Sequence, residues 1–286
     1  MIELLTVPFE GGIGQRALAE VVLLGAVCGP LGVWVVLYRQ SYAAESIAHG
    51  MLPGLVLAAA VGIPLGIGAA AGVALAVVCI ALASGRRLVG PDVAVAVTVT
   101  TLFGAGALLA LVQDSPPRLG SLLFGDPLSV DGGDLLASAA LVIAAGAILA
   151  GGHRSLVLSG FDPQSAASAG GSNPRATLLV GVLVGATILV ALQALGNLLV
   201  VAIIVAPAAA ALRVCARLLP AMACAAALAV AAGVGGLYLS HYAELAAGAS
   251  IALCAVATFA LALPVGRPCP GPAASVSSPV DAFGAG

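Results

Sequence analysis

The sequence predicts an all-α, polytopic membrane helix bundle of about eight or nine transmembrane helices, and three observations carry that expectation. Hydrophobic residues fill 62% of the 286 positions and charged residues only 8%, against about a quarter charged in a water-soluble domain. The mean hydropathy is +1.19. Apolar runs of about 20 residues, the length needed to cross a hydrocarbon core, recur along nearly the whole chain. These runs, 69–83 for example, do not alternate polar with apolar residues as barrel strands would. Lipid offers no partner to a backbone N–H or C=O, so helices are left as the spanning element.

Length and breaker residues divide the chain into nine spans. The first four cover about 16–38, 43–61, 65–84 and 92–112, and the fifth about 135–150. The sixth and seventh, 177–194 and 195–212, are parted only by Gly196 and Asn197. The last two take about 218–240 and 244–264. Residues 1–265 thus form one membrane domain with a long loop at 152–175, and the Pro-, Gly- and Ser-rich 266–286 reads as a disordered tail. An alternative count of eight would move the N-terminus inside without changing the other loops.

All ten basic residues are arginine. Arg39, Arg86, Arg87, Arg154, Arg175, Arg213, Arg217 and Arg267 follow or flank the odd-numbered spans, and only Arg16 and Arg118 fall on the other side. Positive residues favour the cytoplasm, so these loops and the C-terminus are expected inside and, with nine spans, the N-terminus outside. A net charge of −2 with no basic run gives no footprint for nucleic acid. The six cysteines show no CxxC spacing and mostly lie in apolar runs, as small buried side chains do. Glu3 and Glu10 precede any basic residue, so a cleaved leader is not expected. A chain without lysine cannot build the phosphate-binding loop of a P-loop ATPase, so energy has to come from a partner or a gradient.

Three segments carry the chemistry. In 39–54, RQSYAAESIAHGMLPG, Glu45 and His49 are four apart and share a helix face. If the helix enters the membrane near Ser41, His49 lies about 12 Å deep. A carboxylate inside a span costs at least ~2.5 kcal/mol, so such residues default to pathway or ligand roles. A carboxylate oxygen with an imidazole nitrogen suits a borderline divalent metal such as Zn²⁺ or Mn²⁺. Two ligands are too few for a tight site, and two copies facing across a symmetric channel would supply four. The structural alternative has Glu45 reaching the interface and His49 bonding to a backbone carbonyl.

In the loop, 161–170 reads FDPQSAASAG. Asp162 suits an N-cap, Pro163 the first helical position and Gly170 a stop. That gives a short helix fit to dock on a partner, though a plain surface connector is the alternative. In 193–211, QALGNLLVVAIIVAPAAAA, Gly196 and the small residues after Pro207 would allow close helix approach, and Gln193 and Asn197 suit caps or cross-links. Proline and glycine at Pro30, at Pro53 and Gly54, and at Pro207 interrupt spans, either lining a pathway or as ordinary membrane-helix irregularity. His153, His241 and Glu244 fall in expected loops, as do Asp126, Asp131 and Asp134, and carry no assignment.

In these segments the chain resembles the permease subunits of bacterial ABC importers for zinc, manganese and iron. The likeness runs through MIELL at the start, VVLYR at 35–39, Ala48-His49-Gly50 with Leu52-Pro53-Gly54, LLFGD at 122–126, Phe161-Asp162-Pro163 with Ala166 and Gly170, and LVVAIIVAPAA at 199–209. It spans about residues 15–265 in the family's order. The resemblance implies a multi-pass permease of the bacterial plasma membrane, working as a homodimer or a pseudo-symmetric pair. Its partners would be a cytoplasmic ATPase and an extracytoplasmic metal-binding protein. It implies a channel in which Glu45 and His49 hold the transported Zn, Mn or Fe ion transiently, with no permanently bound cofactor and no catalytic residues of its own. It further implies that Phe161, Asp162, Pro163, Ala166 and Gly170 meet the ATPase. The family more often carries aspartate where this chain has Glu45, and alanine where it has Gly50. A permease for a metal chelate and a gradient-driven secondary transporter are the alternatives; few aromatics argue against a chelate cavity, and no inverted hydropathy repeat supports the transporter.

Overall fold

The computed structural model describes residues 11–84, 91–112, 125, 127–161 and 173–265. Among the described residues ten α-helices follow in order: α1 (Gly12–Leu37), α2 (Ser41–Gly50), α3 (Leu52–Val61), α4 (Leu65–Ser84), α5 (Pro91–Val112), α6 (Gly132–Phe161), α7 (Asn173–Leu195), α8 (Asn197–Val214), α9 (Leu218–Ala243) and α10 (Ala247–Ala262). No strand occurs among the described residues. Six segments among the described residues are long and apolar enough to cross a membrane: Gly12–Leu37, Ser41–Val61, Leu65–Ala83, Asp92–Val112, Gly132–Gly160 and Leu218–Ala243. Three shorter apolar stretches, Ala176–Leu192, Leu199–Val214 and Ala247–Ala262, complete the set. The molecule is a polytopic membrane bundle with its helices where the hydropathy of the chain put them.

Helix α1 is the axis. It packs most extensively on α9, then on α8 and α6, and buries Leu24, Leu31 and Trp34 completely. Lipid tails are as apolar as leucine, so helices gain little by hiding hydrophobic side chains from them; close van der Waals contact decides which faces meet. Glycine makes that contact possible. A Cβ on Gly29 would collide with the Ala226 backbone of α9, one on Gly32 with the Ile204 carbonyl of α8, and one on Gly25 would lie 2.8 Å from the Val230 nitrogen. Gly54 of α3 and Gly68 of α4 meet the same way, each placed where a side chain would strike the other's carbonyl.

The expected interruptions resolve into two kinds. Helices α1 and α8 continue through Pro30 and Pro207. Around Pro53 the second span divides at Met51 into α2 and α3, because Pro53 cannot donate the backbone bond that would join them. Between α7 and α8, Gly196 has φ 72°, a left-handed backbone that glycine adopts freely. Gly125, at φ 70°, presses against it.

The fifth span runs past its expected end. Residues 152–161, read as loop, continue α6. Gly151 and Gly152 weaken a helix by about 1 kcal/mol each, but contacts of this extension with α1 offset that. Leu156 is buried, the Tyr38 hydroxyl donates to its carbonyl at 2.8 Å, and the His153 ring stands edge-on to Trp34 at 5.7 Å. His153 therefore belongs to a packed helix and not to a solvated loop. His241 likewise falls within α9, while Glu244 caps it in a left-handed conformation.

Asp131 caps α6: its Oδ1 accepts from the Asp134 N–H at 3.0 Å and the Gly133 N–H at 2.7 Å. These two bonds hold its carboxyl below the usual range. The cap is therefore intact above the ordinary carboxylate pKa, about 3.9, and is lost as pH falls through the lowered value.

Deeper in the bundle, Glu20 of α1 is fully buried, with Oε1 accepting from Ser138 Oγ of α6 at 2.5 Å and Oε2 without a partner. Two substitutions test this packing. Gly29→Leu should lower the unfolding midpoint in detergent by at least the ~1–3 kcal/mol typical of core overpacking, and an unchanged midpoint would contradict the α1–α9 approach. Ser138→Ala leaves the Glu20 carboxyl with no partner and should cost about 1–3 kcal/mol, read from the same transition.

Candidate functional site

The site is built on α2, and the turn before it fixes where α2 stands. Arg39 takes φ 55°, a conformation costly for a residue with a Cβ, and only three residues part α1 from α2. Gln40 N–H donates to the Val35 carbonyl at 2.8 Å, and the Gln40 side chain reaches the Thr177 carbonyl of α7 at 3.2 Å. Tyr38 holds α6 as described. The start of α2 is thereby tied to three other helices.

On α2, burial separates two faces. Ala44, Ile47 and Ala48 pack inward, and Ser46 is buried with its hydroxyl bonded back to the Tyr42 carbonyl at 2.9 Å. Glu45 and His49, one turn apart, face out of the bundle with side chains 56% and 27% exposed, and His49 Nε2 lies 3.9 Å from Glu45 Oε1. The imidazole is braced edge-on by Phe103 of α5 at 5.6 Å. In a chain whose outer surface meets lipid, a carboxylate more than half exposed demands water or another polypeptide beside it.

What lies beside it is a groove of about 590 Å³. One wall is α2, with Ser41, Tyr42, Glu45, Ala48 and His49. Lining the groove as well are Val201, Ala202, Val205, Ala206 and Ala209 of α8, at helical spacing, and Val256 and Phe259 of α10. Among the described residues, every polar side chain lining the groove comes from α2, and the side chains from α8 and α10 are apolar. Among the described residues no three His, Cys, Asp or Glu side chains cluster. One chain alone therefore offers a cation a carboxylate and an imidazole, half of a four-ligand shell.

The other residues singled out by sequence lie elsewhere. Pro53 and Gly54 lie in the first turn of α3, directly after the site helix, and Pro207 is buried within α8, outside the groove lining. Gly196 starts α8, and Pro30 sits in α1, away from the groove. Phe161 ends α6, and Asp162, Pro163, Ala166 and Gly170 fall outside the described residues, as do the side chains of Gln193 and Asn197. The α8 wall falls in the 199–209 stretch that the sequence singled out for helix packing, but nothing in it told which of its valines and alanines would face the groove. Glu20 was visible as an acidic residue within the first span, but its Ser138 partner is 118 positions away.

Comparison with known proteins gives a consistent picture. Residues 12–266 match the model of the ABC 3 transport family. The chain is 33% identical to the manganese transport system membrane protein MntC of Halalkalibacterium halodurans, over 87% of this chain and 85% of that one. It is 30% identical to the manganese import system permease protein ScaB of Streptococcus gordonii, covering 86% and 88%. It is 30% identical to the chelated iron transport system membrane protein YfeD of Yersinia pestis, covering 92% and 89%. Among solved structures, PsaBC from Streptococcus pneumoniae in complex with Fab superposes with a TM-score of 0.81 at 27% identity, over 95% of this chain and 98% of that one.

Proposed function

The chain belongs to the ABC 3 transport family, and from that premise we propose that it forms the membrane pathway of an ATP-driven importer of divalent metal ions. It is a multi-pass permease subunit of the bacterial cell membrane. Relatives named for manganese and for iron support a cargo of Mn²⁺ first and Fe²⁺ second, and the same oxygen and nitrogen donors accept Zn²⁺.

The observation that carries the proposal is the Glu45–His49 pair, displayed on an exposed helix face at the edge of an otherwise apolar groove. A second permease copy facing that groove would add its own pair, giving two carboxylates and two imidazoles around one ion. It would also remove both carboxylates from lipid. Ligands drawn equally from two subunits bind the ion only while the subunits are close, so a small separation releases it. Smooth valine and alanine walls offer the ion nothing to rest on before or after.

Energy would enter through the segment between α6 and α7. Residues Phe161 to Gly170 are the proposed contact for a cytoplasmic ATPase, and α7 runs from there to Gly196, where α8 begins. Movement of that segment by ATP binding would reach α8, which lines the groove beside Glu45 and His49, and shift the population of open and closed grooves. An extracytoplasmic binding protein would deliver the ion from the other side. Family membership displaces the gradient-driven reading. Relatives named for chelated iron keep a metal-chelate cargo as the second reading.

Glu45→Gln removes the charge but keeps the shape, and His49→Ala removes the imidazole. Each should reduce Mn²⁺ uptake into vesicles carrying permease, ATPase and binding protein to background, with the ATPase still copurifying. Uptake at the unmodified rate in both variants would refute the site. Uptake of a chelate in place of the free ion would favour the second reading.

A further inference from the structure

The back of the site helix is fitted as closely as its front is open. Gly50 is buried and stands outside the groove lining, about 140° around α2 from Glu45. A Cβ there would lie 2.6 Å from the Ala76 Cβ of α4 and 3.3 Å from Leu102 Cδ1 of α5. One turn earlier on α4, Gly72 receives the next residue of the chain: a Cβ on it would lie 2.7 Å from Met51 Cα. Helix α4 is itself held. It meets α3 at Gly54 and Gly68, and a Cβ on Gly185 of α7 would lie 2.7 Å from Val73 Cγ1.

We propose that Gly50 is a positioning residue for the ion: by carrying no side chain it lets α2 seat against Ala76, and that seat sets how far Glu45 and His49 reach into the groove. The proposal rests on the transport reading of that pair. Carbon atoms in ordinary contact lie about 3.5–4.0 Å apart, so a methyl group at position 50 needs about 1 Å more than the seat allows. Ala76 is fully buried and cannot swing aside. Helix α4 is held by two neighbours, whereas α2 borders open space at the groove, so α2 is the element that gives.

Glu45 would then advance toward the ion by about the missing distance. Ligand distances in a metal shell hold to within about 0.2 Å, so the advance is several times what ligation tolerates. Removing one methylene from the acid shortens its arm by about one carbon–carbon bond, ~1.5 Å, and offsets the advance. The length of the acid at position 45 and the bulk at position 50 are therefore coupled, although their side chains point to different sides of the helix.

A double-mutant cycle tests the coupling, in vesicles carrying permease, ATPase and binding protein. Glu45→Asp alone leaves the carboxylate short, and Gly50→Ala alone pushes it forward. Each should lower Mn²⁺ uptake about 10- to 100-fold, as disturbing the support of a metal ligand does. Glu45→Asp/Gly50→Ala should take up Mn²⁺ several-fold faster than either single variant. Gly50→Ala/Ala76→Gly, which moves the methyl across the contact, should return to the wild-type rate. Independent effects multiply, so a double variant slower than both singles overturns the proposal, as does unchanged uptake in Gly50→Ala. Loss of the copurifying ATPase in Gly50→Ala that Glu45→Asp does not repair assigns Gly50 to folding and overturns it too. Glu45→Gln separates the two readings: wild-type uptake there refutes the ion site itself, while lost uptake beside an uncoupled cycle refutes only the role of Gly50.

Discussion

The structure depends on the close approach of α1 to α8 and α9. In lipid, no general hydrophobic force tells one apolar helix from another, so position is decided where backbones can touch. Gly25, Gly29 and Gly32 lie on one stretch of α1, and each faces a backbone or side chain that a Cβ would strike. That seam sets α8 beside α1. The same α8 presents Val201 to Ala209 to the groove, so the wall it gives the groove of Glu45 and His49 is placed by contacts on its other face.

The two carboxylates within the first two spans illustrate opposite solutions to one problem. An ionisable group in hydrocarbon must find company. Glu20 finds it inside the chain, through Ser138, and is closed off completely. Glu45 finds only its own neighbour, His49, and stays more than half exposed. A carboxylate left open in this way on a membrane helix makes sense when the missing partners come from outside the chain, as a transported ion and a second subunit would provide. The rigid turn at Arg39 and the brace from Phe103 hold the pair in place meanwhile, so that little order has to be gained when an ion arrives.

Much of the bundle was legible before any coordinates. Apolar run length located the helices, and the four-residue spacing of Glu45 and His49 fixed their shared face. The ends of elements were less legible. The run Gly151-Gly152-His153-Arg154 looks like a loop because glycine and charge are the usual marks of one. It is helical because Leu156 and His153 pack on α1, a contact that local propensity does not register. Pro30 and Pro207 look like breaks for the same reason, and tertiary packing carries the helix through both.

By itself the sequence determined the solvent, the spanning element, the approximate helix positions and the carboxylate–imidazole pair that shares a face. Each of these follows from neighbours within a turn or within a run of about 20 residues. The tertiary structure alone decided that α8 and α10 wall the groove and that Ser138 meets Glu20. Helices apolar on every side carry no stripe to announce which face will meet which partner. That choice is made by the few positions where two backbones can come within contact, and it exists only once the whole bundle has formed.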